Sequence, residues 1–437
     1  MTENWNRKTW ALAGPIMISN ISVPLLGAVD TAVMGRLPGP QYLGAVAVGA
    51  LIFSFAYAGF NFLRMGTTGL TAQSYGAKDA DQIRAWLARA LALAVAAGVV
   101  LIALQQAIVW VSLFLIDPSD QVRPLTEAYF NIRIWSAPAT LANFAILGWF
   151  FGVQNTRAAL ITQVAMNGAN IVLDIWFVIG LGWGVEGVAW ATLISEIGAV
   201  AVGLWLVRRE LKRLGGHWNL KRAMNPDRLR VMMRVNGDIF IRSVFLQAAF
   251  LAFMAVGARM GDLILAANAL LLNLEMFAAY ALDGFANAVE ALAGEAIGAR
   301  QRHRFRAAVL ATTRWALIFA AGLSVAFWGL GVLIIDLLST VPEVRATAYE
   351  YLLWAALLPA GSVWSFQLDG IFIGSTRTAE MRNGMIISMA VFAAAMAALV
   401  PTWGNHGLWL AMWIFMVARA VTLALWYPRL ERSVGAD

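Results

Sequence analysis

Two aspartates lie inside long hydrophobic stretches, where a titratable side chain needs a partner or a role. Asp30 and Asp174 are surrounded by apolar residues, and neither has a basic residue within one helical turn. A carboxylate at bilayer depth is costly unless it is neutralised, hydrated or bound to a cation. If the two carboxylates meet, they compete for ionisation. The chemistry that such a pair could perform is the binding and release of a cation.

Two amides accompany one of these acids. Asn167, Asn170 and Asp174 are separated by three and four residues, which places their side chains on one face of a helix. Carboxyl and amide oxygens suit hard cations, so the bound ion is a proton or, as an alternative, sodium. A third interpretation is structural, with these groups holding neighbouring helices together by hydrogen bonds.

A second set of acids is predicted to line a substrate cavity. Glu275 and Asp283 share one apolar stretch, and Asp369 lies in another. An acidic wall would attract organic cations, and the neighbouring Met276 and Phe277 would offer adaptable apolar contacts and cation–π contacts.

Basic residues inside the apolar stretches are expected to neutralise acids. Asp238 and Arg242 are four residues apart, which favours an ion pair within one helix. Arg64 and Arg133 are candidates for neutralising the acids of the second half.

The composition predicts that membrane-spanning helices position these residues. Of the 437 residues, 60% are hydrophobic and 13% charged, against about 25% charged in an average soluble domain. Twelve apolar stretches are long enough to cross a bilayer as helices, which predicts an all-α integral membrane protein. They cover residues 9–34, 42–74, 86–116, 125–150, 158–180, 185–207, 231–256, 264–296, 307–336, 346–373, 380–400 and 406–427.

The basic residues are distributed unevenly between the two sides of these predicted helices. Of the 32 Lys and Arg residues, 25 fall on one side and four on the other, and the remaining three lie inside the apolar stretches. The positive-inside rule then places both termini in the cytoplasm. We expect the membrane to be the inner membrane of a bacterium. The same distribution argues against nucleic acid as a partner.

The two halves resemble each other when one is shifted by 222 residues. The turn Gly76–Lys78 falls on Gly298–Arg300, and Arg84 falls on Arg306. Asp30 has an apolar residue at the equivalent position, and so does Asp174. The carboxylates thus occur in one half alone, which favours a function for the pair.

The polar segment 208–230 predicts a cytoplasmic linker between an N-terminal six-helix lobe, 1–207, and a C-terminal one, 231–437. An even helix count gives both lobes one orientation, related by a pseudo-two-fold axis along the membrane normal. Such an arrangement leaves a cleft between the lobes near the midplane, where transporters place their substrates.

A proline in the first predicted helix favours a bend. Pro15 lies fifteen residues before Asp30. Proline removes a backbone hydrogen bond and clashes with the preceding turn. A bend in the same helix as a titratable residue could act as a switch.

Other chemistry is poorly supported. The chain has no cysteine and three scattered histidines, which excludes thiolate metal sites and disfavours a histidine-rich metal centre. It has no P-loop, and the glycines of 180–187 lack the preceding strand of a dinucleotide site. Neither a metal, a cofactor nor enzymatic activity is expected, since an intramembrane enzyme would need a catalytic dyad or metal site.

Five segments resemble the multidrug and toxic compound extrusion family, and within it the DinF subfamily. They are NISVPLLGAVDTAVMGRL (20–37), TTGLTAQSYGAKD (67–79), NIVLDIWFVIGLGWGVEGVAWAT (170–192), YALDGFANAVEA (280–291) and LDGIFIGSTRTAEMRN (368–383). The resemblance implies a twelve-helix antiporter whose two six-helix lobes form a V-shaped central cleft, and which exports cationic or amphipathic compounds against protons or sodium. It assigns cation coupling to Asp30, Asp174, Asn170 and Thr192, and helix bending to Pro15.

The expected function is therefore that of a monomeric secondary multidrug exporter. Protonation of Asp30 would alter the bend at Pro15 and drive alternating access. Sodium coupling is one alternative, and a flippase for lipid-linked precursors with a related fold is another.

Overall fold

A computed structural model describes residues 4–435, apart from the side chains of residues 23–25 and 28. These residues form fifteen α-helices joined by short turns, and no β-strand occurs among them. The helices are α1 (Trp5–Met34), α2 (Pro40–Ala58), α3 (Phe62–Gly76), α4 (Ala80–Ala103), α5 (Gln105–Ile116), α6 (Val122–Arg133), α7 (Ala137–Gly152), α8 (Thr156–Asp174), α9 (Gly184–Leu214), α10 (Leu220–Ala223), α11 (Pro226–Arg259), α12 (Asp262–Gly298), α13 (Arg302–Leu338), α14 (Pro342–Gly374) and α15 (Thr378–Ser433).

Several helix starts are encoded by the residues next to them. The side chain of Asp79 accepts a hydrogen bond from the backbone N–H of Gln82, and Asn155 does the same for Ala158. Such N-caps satisfy backbone donors that a helix leaves without partners at its start. Three further helices, α2, α7 and α14, have proline in their first two positions. There its missing N–H costs nothing, because no helical acceptor exists for it.

Ten helical segments within residues 4–435 are long and apolar enough to cross a membrane. Two of them join consecutive helices through a 3₁₀ turn, at Gly59–Asn61 and Ile134–Ser136, and a third extends α8 by the π-helix Ile175–Gly180. The 30-residue α1 is not among the ten, and α15 counts once although Gly404 (φ 54°, ψ −130°) interrupts its helical backbone. The twelve spans inferred from the sequence stay a prediction.

The chain divides into two compact units. The first unit is Ile18–Met232, and the second unit combines Met1–Met17 with Met233–Asp437. The division therefore falls inside α1, a position that the sequence pattern did not indicate. Each unit has its own aromatic core: the rings of Phe53 and Phe130 stack at 5.1 Å in the first, and Phe253 meets Trp409 edge-on at 5.0 Å in the second.

The same turn occurs in both units at the predicted shift of 222 residues. Lys78 and Arg300 adopt left-handed backbone angles, with φ of 57° and 56°. The next N–H donates back across the turn, from Asp79 to the Ser74 carbonyl and from Gln301 to the Ala296 carbonyl. A left-handed residue after a helix closes it in this way.

Close helix contacts recur at the same shift. A Cβ added to Gly148 on α7 would lie 2.2 Å from the carbonyl oxygen of Arg64 on α3. A Cβ on Gly370 of α14 would lie 2.3 Å from the carbonyl oxygen of Ala286 on α12. Small residues allow membrane helices to approach to backbone contact. In each unit, one helix pair therefore packs through glycine.

The polar segment 208–230 is ordered and packs against the first unit. It comprises the end of α9, the short α10 and the start of α11. Nη2 of Arg84 on α4 donates to the carbonyls of Leu211 and Gly215 at 2.8 and 2.7 Å, and Nε of Arg89 donates to that of Ala223 at 2.9 Å. Two arginines of α4 thus hold this segment in place.

Candidate functional site

Asp30 and Asp174 come together in the first unit. Asp30 lies near the end of α1, and Asp174 is the last residue of α8. Their carboxyl groups are within hydrogen-bonding reach of each other. Asp174 is 0% exposed and Asp30 is partly buried. The geometry therefore contains the contact that the sequence analysis expected between these two acids.

The oxygens of this pair lack hydrogen-bond donors. Oδ1 of Asp30 and both oxygens of Asp174 are buried with no donor among the side chains that the structure describes. Since a carboxylate carries no hydrogen, two ionised carboxylates cannot hydrogen-bond to each other. Buried charge without a partner is strongly disfavoured. The pair is therefore suited to hold a proton or a small cation between its oxygens.

The helix changes its winding next to Asp174. Residues Ile175–Gly180 form a π-helix, which ends with the N–H of Leu181 donating to the carbonyl of Trp176 at 2.9 Å. π-helical segments are rare and are frequently found at functional sites. Here the segment begins directly after the buried Asp174.

The two amides of α8 take different partners. Nδ2 of Asn167 donates to the hydroxyl of Ser22 on α1 at 2.7 Å. Nδ2 of Asn170 donates to the hydroxyl of Thr192 on α9 at 3.4 Å, while its Oδ1 is buried without a donor among the described groups. Asn170 therefore has an oxygen available for a cation, whereas Asn167 ties α8 to α1.

Arg133 belongs to the surroundings of this acid pair. Nη1 donates to the hydroxyl of Tyr129 at 2.7 Å, and the guanidinium lies 4.7 Å from the ring centre of Phe53. Its charge acts on both Asp30 and Asp174, although it forms no ion pair with any carboxylate in the described residues. The prediction that Arg133 neutralises acids of the second half is wrong, because its electrostatic partners lie in the first unit.

The sequence analysis overlooked a further acid in the first unit. Glu196 on α9 is buried and accepts a hydrogen bond from Thr140 on α7. Nδ2 of Asn143 donates to the backbone carbonyl of Glu196 at 3.0 Å. The signal that could have revealed Glu196 is the one used for Asp30: a lone acid within an apolar stretch.

Pro15 lies in a helix that is continuous from Trp5 to Met34. The division between the two units falls between Met17 and Ile18, two residues after the proline. The N-terminal part of α1 therefore groups with the second unit, while the part that carries Asp30 belongs to the first.

In the second unit, Asp369 binds two arginines rather than standing alone. It accepts hydrogen bonds through Oδ2 from Arg242 on α11 and from Arg419 on α15, the latter at 2.8 Å. All three side chains are buried, and Asp369 is 7% exposed. The two cations compensate its charge, so Asp369 offers no free negative charge to an organic cation.

The predicted pair between Asp238 and Arg242 does not form. Asp238 instead accepts from Nη1 of Arg382 at 2.6 Å and from the hydroxyl of Thr378 at 3.0 Å. Arg242 turns to Asp369. Tertiary partners on α14 and α15 therefore outcompete the neighbour one turn away on the same helix.

The remaining cavity candidates differ in their surroundings. Glu275 is buried, with Oε2 lacking a donor among the described residues, and the charge of Arg419 acts on it. Asp283 is partly buried, and its backbone carbonyl accepts from Asn287. Met276 and Phe277 are 54% and 48% exposed. Only Glu275 among the three acids combines burial with an oxygen that lacks a donor.

No group of three or more His, Asp or Glu residues in the described part of the chain could hold a metal ion. Long apolar helices around a buried pair of titratable groups define a multi-pass membrane protein suited to moving solutes.

Comparisons with known proteins identify the class. The MatE family model matches the chain twice, over residues 15–176 and 239–399. The DNA damage-inducible protein F of Escherichia coli (strain K12) is 44% identical over 428 residues, which cover 98% of this chain and 93% of that protein. The probable multidrug resistance protein YoeA of Bacillus subtilis (strain 168) is 22% identical over 89% of this chain and 81% of its own.

A solved structure described as MATE in the bent conformation shares the fold. It matches with a TM-score of 0.90 and 20% identity, over 100% of this chain and 98% of that one. The chain belongs to the MATE family of transporters. The resemblance noted from five sequence segments, including that to the DinF subfamily, is confirmed.

Proposed function

We propose that this chain is a proton-coupled exporter of cationic or amphipathic organic compounds in the bacterial inner membrane. The observation that carries the proposal is the contact between Asp30 and Asp174, whose buried oxygens lack donors. Two carboxyls in contact are stable when they share a proton and repel each other when they do not. Loss or gain of that proton therefore changes the free energy of the first unit.

The proposed cycle couples this proton to substrate. With the proton bound, Asp30 and Asp174 hold α1 and α8 together. On release of the proton the two charges repel, and the helix containing Pro15 changes its bend. Support for a bend comes from the proline in α1 and from a relative described as being in a bent conformation. Alternating access by antiport follows if substrate binds one shape of the protein better than the other.

The proposed architecture has twelve spans in two six-helix lobes related by a pseudo-two-fold axis, with both termini in the cytoplasm. The recurrence of the same turns and glycine contacts at a shift of 222 residues supports two equivalent lobes. Counting α1 as one span and dividing α15 at Gly404 gives the twelve. The exporter is proposed to act as a monomer without a cofactor.

Sodium is the second candidate for the coupling ion. Oδ1 of Asn170 lacks a donor, as do Oδ1 of Asp30 and both carboxyl oxygens of Asp174, and all are hard ligands. The hydroxyl of Thr192 lies beside Asn170. This set of oxygens could replace part of the hydration shell of a sodium ion.

Efflux from proteoliposomes under separately imposed proton and sodium gradients tests the proposal. We expect a proton gradient alone to drive efflux of a fluorescent organic cation and the Asp30→Asn variant to abolish it. Asp336→Asn, at a partly exposed acid of the second unit, is the control for reconstitution. Efflux driven by a sodium gradient alone would show that sodium, not the proton, is the coupling ion. Full efflux by Asp30→Asn would show that the acid pair takes no part in coupling.

A further inference from the structure

A crevice separate from the acid pair lies within the second unit. It encloses about 730 Å³ among α13, α14 and α15. This volume is within the range of sites that hold small organic ligands. α13 contributes the face from Val309 to Ile318, α14 the face from Trp364 to Ile371, and α15 contributes Ala424 and Tyr427.

The crevice is mostly apolar and open along the helices. Leu310 at its edge is 75% exposed, and Ile318 and Trp364 are about half exposed. All three belong to helices that are long and apolar enough to span the membrane. On such helices, exposed apolar side chains face hydrocarbon rather than water. Acyl chains of the bilayer can therefore enter the crevice from the side.

A polar side chain inside the crevice lacks a partner. Gln367 lines the crevice and is 1% exposed, and neither its Nε2 nor its Oε1 has a hydrogen-bond partner among the described residues. An unsatisfied buried amide is costly, so such groups in proteins are nearly always hydrogen-bonded. The amide is therefore positioned for a ligand that brings hydrogen-bonding oxygens into an apolar space.

A cation without an ion pair lies in the same crevice. Arg314 lines it from α13, is exposed, and makes no ion pair within residues 4–435. It lies twelve residues after the start of α13, which is about 18 Å along the helix axis. An arginine within an apolar helix long enough to span the membrane needs an anionic partner or access to headgroups.

We propose that this crevice binds a phospholipid with an anionic headgroup. The acyl chain lies against the apolar walls, and the phosphate accepts hydrogen bonds from the guanidinium of Arg314. Nε2 of Gln367 donates to an ester carbonyl of the lipid, and its Oε1 accepts from water or a headgroup hydroxyl carried with it. The site lies in the second unit and does not depend on the proposed export function.

Native mass spectrometry of the full-length protein in detergent, titrated with phosphatidylglycerol, tests this proposal. Phosphatidylcholine with the same acyl chains is the comparison lipid, since its choline group neutralises the phosphate. Arg314→Gln removes the cation, and Ala424→Trp fills the crevice. Arg157→Gln is the matched control, because Arg157 is an exposed arginine in the first unit that makes no ion pair with a described residue.

We expect the wild type and Arg157→Gln to retain one phosphatidylglycerol with equal affinity. Arg314→Gln should bind it about fivefold more weakly, and Ala424→Trp should not retain it. Phosphatidylcholine should bind the wild type less tightly than phosphatidylglycerol. Equal retention of phosphatidylglycerol by all four proteins would show that the lipid does not bind in this crevice. Equal retention of both lipids by the wild type would show that the site does not prefer an anionic headgroup.

Gln367→Leu provides a second measurement that does not depend on the folding of Ala424→Trp. Without lipid, this variant should melt at a higher temperature than the wild type, because it removes the unsatisfied amide. With phosphatidylglycerol added, its melting temperature should rise less than that of the wild type. An equal rise in both proteins would show that the amide does not contact lipid and would contradict the proposal.

Discussion

Oδ2 of Asp369 accepts a hydrogen bond from the guanidinium of Arg419 at 2.8 Å, inside a helical unit where both side chains are buried. Arg242 donates to the same oxygen. One carboxylate thus serves two cations. Breaking this buried cluster of three charges costs more free energy of unfolding than breaking an exposed ion pair, because removing the acid leaves two buried charges without their partner.

Asp369→Asn should destabilise the protein by about 3–5 kcal/mol, the usual cost of breaking a buried ion pair. The measurement is the thermal unfolding of the purified protein in detergent. Asp336→Asn, at a partly exposed ion pair with Arg345, should change stability by less than about 1 kcal/mol. Similar melting temperatures for the two variants would contradict the assigned role of Asp369.

Asp30→Asn should leave the protein at least as stable as the wild type. An asparagine supplies an N–H donor to the buried oxygens of Asp174, so we expect a gain of about 1 kcal/mol. Together with lost efflux, this gain would separate a coupling role from a folding defect. Asp238→Asn is the control, since it weakens the pair with Arg382 and should lower the melting temperature. A clear loss of stability in Asp30→Asn would be inconsistent with two unsatisfied carboxyls in contact.

Gly148→Ala and Gly370→Ala should each destabilise by about 1–3 kcal/mol, because the new Cβ would overlap a backbone carbonyl on the adjacent helix. The two losses should be similar, since the contacts are alike. Gly322→Ala is the matched control: no atom lies within 4 Å of its added Cβ. Alanine there should stabilise α13 by up to about 1 kcal/mol. Equal melting temperatures for all three variants would exclude tight packing at these glycines.

Arg84→Gln should loosen the segment that follows α9. The arginine holds the carbonyls of Leu211 and Gly215, and its charged hydrogen bonds are worth about 1.5–3 kcal/mol. Trypsin should then cleave faster after Lys221 and Arg222. Arg209→Gln removes an arginine that lies over Trp205, so its cleavage rate should match that of the wild type. Unchanged cleavage in Arg84→Gln would mean that other contacts hold this segment.

Periodicity and hydropathy predicted most helices of this fold, because a membrane helix must be apolar over its whole length. The same reasoning located Asp30 and Asp174, since a lone acid in such a stretch is conspicuous. It did not identify Arg419, which is buried against Asp369. Burial depends on which helix packs alongside, and hydropathy along one chain does not contain that information.

The positions of charged residues within the helices were predicted better than the residues with which they pair. Asp238 and Arg242 have the spacing of an ion pair, yet each binds a residue more than one hundred positions away. Side chains four residues apart on a helix are neighbours. In an interior with several charged groups, however, an acid pairs with the arginine that offers the better hydrogen-bond geometry, even when it lies on another helix. Arg133 is the same case: its position in an apolar stretch was evident, whereas Tyr129 and Phe53 as its neighbours were not.

The glycine contacts at 148 and 370 make the packing of these helices independent of the charged groups that each unit carries. Because the contact between the two backbones leaves no room for a side chain, it fixes how the two helices pack, whatever side chains lie on their other faces. The first unit can therefore carry two acids that repel each other, and the second unit two arginines bound to one carboxylate. Neither arrangement requires a change in how these helices pack.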